Sequence, residues 1–296
     1  MLFRRRSSVS QAGREALARV LDSPTFELVP LKNALDRAAY LPAGARVSVT
    51  ASPAKGIEAT VALCEQLQAG GFRAVPHLSA RMIRDRQHLC DLIAWLEGAG
   101  VRRAFIVGGD EKEPGAYLGG LALLRDMAEI GHPLDEIGIP CYPQGHAFIP
   151  DGALLGALRA KEPFAAYMTT QLCFDPEAIE TWIRERRSEG VQLPVHVGLP
   201  GVAEPHRLLA IAARIGVADT HRFLSKNARF VARMLRSGGF YKPDGLLDGL
   251  APTVADPTAD VVDLHLYTFN AVDATERWRK EYLARLTAEP FAGRMT

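Results

Sequence analysis

Eight polar or ionisable residues stand inside or just past the ends of short apolar, strand-like runs. They are Glu27 in TFELV (25–29), Thr50 closing RVSVT (46–50), His77 in FRAVPHL (72–78), Asp110 after RAFIV (103–107), Tyr142 and His146 after EIGIPC (136–141), Gln171 after AAYMTT (165–170) and Asn270 after VVDLHLY (261–267). Glu27 lies between Phe26 and Leu28. A carboxylate on the inner face of such a strand is costly unless it is paired or protonated. That environment equips it to act as a general acid near neutral pH. The alternative is an outward Glu27, in a salt bridge with a helix layer. Tyr142 can stack on a flat ring and donate a hydrogen bond, and His77 and His146 can bond a ribose, a phosphate or a carbonyl. The amide of Gln171 sets a donor beside an acceptor, which suits the edge of a pterin or purine. Each of these residues also has a plain structural reading as a loop or cap residue.

The elements that must position these residues alternate along the chain. The eight runs, with PVHVG (194–198) among them, are followed in most cases by longer amphipathic stretches: about 56–69, 85–98, 116–130, 151–161, 176–189 and 203–214, with another near 220–237. Asp175 before Pro176 and Asp151 before Gly152 are expected helix N-caps. Gly70, Gly71, Gly100 and Gly190 fall where helices should stop. Eight strand–helix units over some 270 residues point to a single (β/α)8 TIM barrel over 25–296, preceded by an N-terminal tail and helix over 1–24. The rival is a doubly wound open sheet, but no strand is followed by the G-x-G-x-x-G fingerprint. The Gly- and Pro-rich stretch 237–260 reads as a long loop. In a barrel of this kind, chemistry sits at the C-terminal ends of the strands, where the polar residues listed above fall.

Composition narrows the classes further. The chain of 296 residues is 48% apolar and 23% charged, ample for a core. A formal net charge of +1 argues against a dedicated nucleic-acid or anionic-membrane surface. No apolar run approaches the roughly 20 residues needed to span a bilayer. The opening MLFRRRSSVS lacks the apolar core of a secretory signal. Cys64, Cys90, Cys141 and Cys173 form no C-x-x-C pair and read as buried, reduced thiols, so a cytoplasmic location is expected. The histidines show no H-E-x-x-H pair or close cluster, so no metal site is expected. There is no P-loop, no G-x-S-x-G elbow and no S-x-x-K.

In their order, FELVP, VSVT, PHLSAR, IVGGD, IGIPCYPQGH, AAYMTTQLCFD, VHVGLPGV and DLHLYTFN resemble the methylenetetrahydrofolate reductase family, over roughly residues 25–272. The resemblance implies a (β/α)8 barrel that reduces 5,10-methylenetetrahydrofolate to 5-methyltetrahydrofolate, a step of one-carbon metabolism that feeds methionine biosynthesis. It implies Glu27 as the general acid that opens the imidazolidine ring to an iminium. Asp110 would be a buried carboxylate beside the reacting rings. Gln171 and Asn270 would be substrate contacts, and Thr50, His77, Tyr142 and His146 would line the cofactor pocket.

Family members usually carry FAD, and here the flavin side departs from the pattern. Gly108 stands where the family has the arginine of R-G-D, TASPAKG replaces T-Y-G-A-G-G, and LRAKEPF keeps Arg159 but has Ala160 at the second cation, with Lys161 next to it. Each lost charge-assisted phosphate contact removes about 1.5–3 kcal/mol. FAD is therefore doubtful, and NADH (or NADPH) is expected to occupy the vacated pocket and pass its hydride directly, with donor and acceptor carbons about 3–3.5 Å apart. The alternatives are an ordinary FAD-dependent reductase and a folate-binding barrel without catalysis. Ala271 follows LYTFN where the family has an arginine; Lys226, Arg229 and Arg233, on one helix, are candidates for the folate's glutamate tail.

Overall fold

Parallel strands β1 (Thr25–Leu28), β2 (Arg46–Val49), β3 (Arg73–Ser79), β4 (Arg103–Val107), β5 (Glu136–Cys141), β6 (Tyr167–Thr170), β7 (Val195–Pro200) and β8 (Val261–Tyr267) pair in sequence order, and β8 returns to β1 to close the barrel. The computed structural model describes residues 9–146, 148–204, 208 and 240–288. Around the strands lie α1 (Gln11–Asp22), α2 (Ala34–Ala38), α3 (Gly56–Ala69), α4 (Arg86–Gly98), α5 (Gly120–Ile130), α6 (Asp151–Lys161), α7 (Pro176–Ser188), α8 (Asp244–Ala255) and α9 (Val272–Thr287). The expected helices near 203–214 and 220–237, with Lys226, Arg229 and Arg233, lie outside the described residues. Among the described residues no helix is long and apolar enough to cross a membrane.

The elements follow from local chemistry. Outward residues such as Phe26, Leu28, Val47, Val49, Ile137 and Ile139 are buried against the helices. Asp175 caps α7 as expected, accepting hydrogen bonds from the N–H groups of Glu177 and Ala178. Gly71, Gly100 and Gly190 take positive φ where helices end.

Three expectations need correction. Asp151 is the first residue of α6 and not its cap, since Pro150 holds the cap position and no side chain caps it. Cys90 is only half-buried, unlike Cys64, Cys141 and Cys173. The stretch 237–260 is not one loop, because it contains α8. Its Gly245, Gly249 and Pro252 argue locally against a helix. Tertiary packing overrides them: Leu246, Leu247, Leu250 and Val254 are buried, on a helix packed against α1 and α7. Gly249 lets that helix close on Pro176 of α7, which a β-carbon would approach to 2.7 Å.

The barrel interior is unusually polar at its lower end. Asp263 Oδ2 accepts from the Arg46 guanidinium at 2.8 Å and from Thr25 Oγ1 at 3.0 Å, and Arg103 bonds Glu136 at 2.6 Å. Burial pushes Asp263 up to about 6 despite its Arg46 partner. Above this layer the Tyr167 ring stacks on His196 with centroids 3.9 Å apart and packs with Val75 and Phe105. The tyrosine crosses the interior because Gly138 has no side chain; a β-carbon there would lie 2.4 Å from the ring.

Gly138→Ala should therefore lower the unfolding free energy in urea by about 1–3 kcal/mol. Gly245→Ala, where a β-carbon meets no atom within 4 Å, should be neutral or stabilising by up to about 1 kcal/mol. Equal effects would show that the ring has room to move.

Candidate functional site

Strand alternation sends Thr25 and Glu27, Arg46 and Ser48, Val75, His77 and Ser79, and Asp263, His265 and Tyr267 to the barrel interior. Four of these meet on its axis. Glu27 Oε2 lies 3.1 Å from His265 Nε2 and 3.7 Å from His77 Nε2, and Ser48 Oγ is 2.7 Å from His77 Nε2. The side chains of Glu27, His77 and His265 are 13%, 10% and 5% exposed. Glu27 thus faces inward and not into the helix layer. The contact to His265 is at hydrogen-bond distance, and the imidazole tautomer sets which of the two groups donates. Phe105 packs beneath His77, with ring centroids 4.9 Å apart.

The backbone under Glu27 is clamped. Thr268 Oγ1 donates to the Glu27 carbonyl at 2.5 Å and accepts from the Asn270 N–H at 3.1 Å. The Asn270 side chain accepts from the Val29 N–H at 2.8 Å and donates to the Val29 carbonyl at 2.9 Å. Phe269 and Asn270 hold this turn in the left-handed region, at φ 50° and 61°. Asn270, expected at the substrate, has both ends of its amide engaged with Val29; what it does here is lock the exits of β1 and β8 together.

Other expected residues sit on the rim. Thr50 follows β2; its N–H donates to the Leu28 carbonyl at 3.0 Å and its carbonyl accepts from Thr60 Oγ1. Tyr142 and His146 are half-buried with rings edge to face at 5.2 Å. Burial, with Cys141 and Asp110 nearby, pushes the Tyr142 phenol up to about 12, so it remains a hydrogen-bond donor. The Gln171 Oε1 accepts from the Leu172 N–H at 2.8 Å, and its NH2 has no partner among the described residues. Asp110 is exposed and not buried. The chain leaves β4 through Gly109 at φ 94°, and Arg81 holds the following loop outward by donating to the carbonyls of Glu111 and Lys112.

The expected phosphate cation Arg159 donates to the Glu189 carbonyl at 2.7 Å. It and Lys161 occupy the last turn of α6, which leads to the start of β6, and Lys161 interacts electrostatically with Cys141 of β5.

The histidines do cluster, contrary to expectation: donor atoms of Glu27, His77 and His265 lie within 4.8 Å of one another. They come from β1, β3 and β8, so local spacing could not show it. Ser48 and His265 were not among the expected site residues. The signal for both was present, as polar residues at every second position of RVS and DLHLY.

No family model matches the chain. A solved structure from Burkholderia cenocepacia J2315, named a "putative phosphonomutase", is similar at 15% identity and a TM-score of 0.42, over 77% of this chain and 100% of its own. The class defined by the closed strand order is a single (β/α)8 barrel with a polar interior.

Burial lowers the pKa of His77 to about 4 from 6.5, outweighing the upward pull of Glu27, while His265 adds to the lowering. Below pH 6.5 the unfolded chain takes up a proton that folded His77 refuses until about pH 4. Stability should therefore fall across that window, by up to about 3 kcal/mol from this group, and gain nothing more from it at higher pH. Urea unfolding of wild type and His77→Gln at several pH values isolates the contribution; identical slopes would contradict a buried neutral imidazole.

Proposed function

We propose that this barrel reduces 5,10-methylenetetrahydrofolate to 5-methyltetrahydrofolate, with NADH or NADPH as a direct hydride donor and no tightly held flavin. The observation that carries the reading is the inward, shielded Glu27 with His265 at hydrogen-bond distance. The resemblance of its ordered motifs to the methylenetetrahydrofolate reductase family supplies the substrate of this reading.

The bridging nitrogen of the imidazolidine ring is a poor leaving group until it is protonated. Glu27 supplies that proton as the carbon–nitrogen bond breaks, and the resulting carboxylate faces the cationic iminium it has helped to form. His265 orients the carboxyl group and shares its proton in the resting state. The nicotinamide supplies the hydride that turns the methylene carbon into a methyl group. Gln171 offers its NH2 to the pterin edge. Tyr142, His146 and Thr50 border the mouth where the nucleotide enters. Asp110, exposed on the rim beside Tyr142, contributes negative potential at the entrance rather than a charge against the iminium.

The flavin-free form is supported by Gly108 at the family's phosphate-binding arginine and by Arg159, whose guanidinium is engaged with Glu189. The residues present do not fit a flavin pyrophosphate. With both substrates bound together, double-reciprocal plots should intersect; parallel lines would require an enzyme-held intermediate carrier. Glu27→Gln should keep folate binding within a few-fold while turnover falls about 10²–10⁴-fold. Unchanged turnover would remove Glu27 from the chemistry.

A further inference from the structure

Two imidazoles and a carboxylate converge on one point of the barrel floor, from three different strands. Hydrogen bonding accounts for the Glu27–His265 contact at 3.1 Å and the Ser48–His77 contact at 2.7 Å. It leaves the approach of His77 Nε2 to Glu27 Oε2, at 3.7 Å, without a bond. A cation between the three donors would bond them all. Zinc holds nitrogen and oxygen ligands at about 2.0–2.2 Å, which sets donors roughly 3–3.5 Å apart in a tetrahedral site. The two pairs that include Glu27, at 3.1 and 3.7 Å, bracket that spacing, and all three donors lie within 4.8 Å of one another; at His77 Nε2 zinc takes the place of the hydrogen bond to Ser48 Oγ. Imidazole with carboxylate selects zinc over magnesium or calcium, which take mostly oxygen ligands.

The geometry points to Glu27, His77 and His265 as a three-ligand site for zinc, entered from the open end of the barrel and leaving a coordination position for water. Zinc bonds the carboxylate oxygen and the two Nε2 lone pairs, each imidazole keeping its one proton on Nδ1; the Ser48–His77 Nε2 hydrogen bond breaks, and the proton between Glu27 and His265 leaves to solvent. The loaded site holds no proton to donate, so on the proposed reaction zinc is an inhibitor and not an activator. The binding itself does not depend on that reaction.

The test uses the full chain, dialysed against a chelator and then titrated with Zn²⁺ by calorimetry and with Co²⁺ by visible absorption. One equivalent should bind with micromolar or tighter affinity, release a proton, and give the intense cobalt bands of a four- or five-coordinate site. Glu27→Gln and His265→Gln, each checked for native circular dichroism, should weaken it by about tenfold or more. His132→Gln, in the loop between α5 and β5, should leave it unchanged. No saturable binding to the wild-type chain overturns the inference whether or not the variants fold. So does binding that Glu27→Gln and His265→Gln leave intact, which would place the metal elsewhere. A chain that binds zinc here yet oxidises no NADH with methylenetetrahydrofolate overturns the proposed function alone. One that turns over but takes up no zinc overturns this inference alone.

Discussion

A carboxylate on the axis of a closed barrel has to be stabilised by what the neighbouring strands bring to it. Glu27 is at hydrogen-bond distance from His265 of β8, which its own strand joins directly, and faces His77 of β3, two strands away in the other direction, at 3.7 Å. That arrangement exists only when the sheet is closed, because β1 and β8 lie at opposite ends of the sequence. The Thr268–Asn270 turn then fixes the Glu27 and Val29 backbone against β8, so the acid has little freedom to withdraw. On the proposed reaction this rigid placement suits a proton donor, and side chains on strands are held more precisely than side chains on loops.

Below this layer the interior is closed by polar groups that satisfy one another. Arg46, Thr25 and Asp263 form one group, and Arg103 with Glu136 another. Tyr167, laid over Gly138, seals the space between that layer and the site. Tyr267, the last residue of β8, packs beside Gly198, where a β-carbon would lie 2.6 Å from its ring; its hydroxyl donates to the Thr170 carbonyl at 2.8 Å.

Much of this was legible in the chain. The eight strands and their order followed from short apolar runs bounded by turns, and β4, β5 and β8 match their expected limits. Glu27 was legible because a lone carboxylate in an apolar strand demands a reason. His265 and Ser48 were harder to see. Their meaning depends on which face of the strand they occupy, and the period-2 polar series in β2 and β8 states that face only once closure is known. Asp110 misled because a strand followed by two glycines and an acid looks like delivery into a pocket, whereas Gly109 turns the chain outward. Helix α8 was hidden by its own glycines and proline, whose local preferences yield to the burial of its leucines. Asn270 looked like a ligand contact because it stands just past a strand end; its partner is the backbone of Val29, just beyond β1.

The central claim is that the acid on the barrel floor serves a hydride transfer from nicotinamide to methylenetetrahydrofolate without a flavin between them. The most direct test is an absorbance spectrum of the freshly purified chain, followed by NADH oxidation in the presence of methylenetetrahydrofolate, with and without added FAD. Direct transfer should give no flavin band and a turnover that added FAD does not change. A stoichiometric flavin band, or turnover that appears only when FAD is supplied, would contradict direct transfer. No turnover under either condition would leave the barrel without the reaction assigned to it.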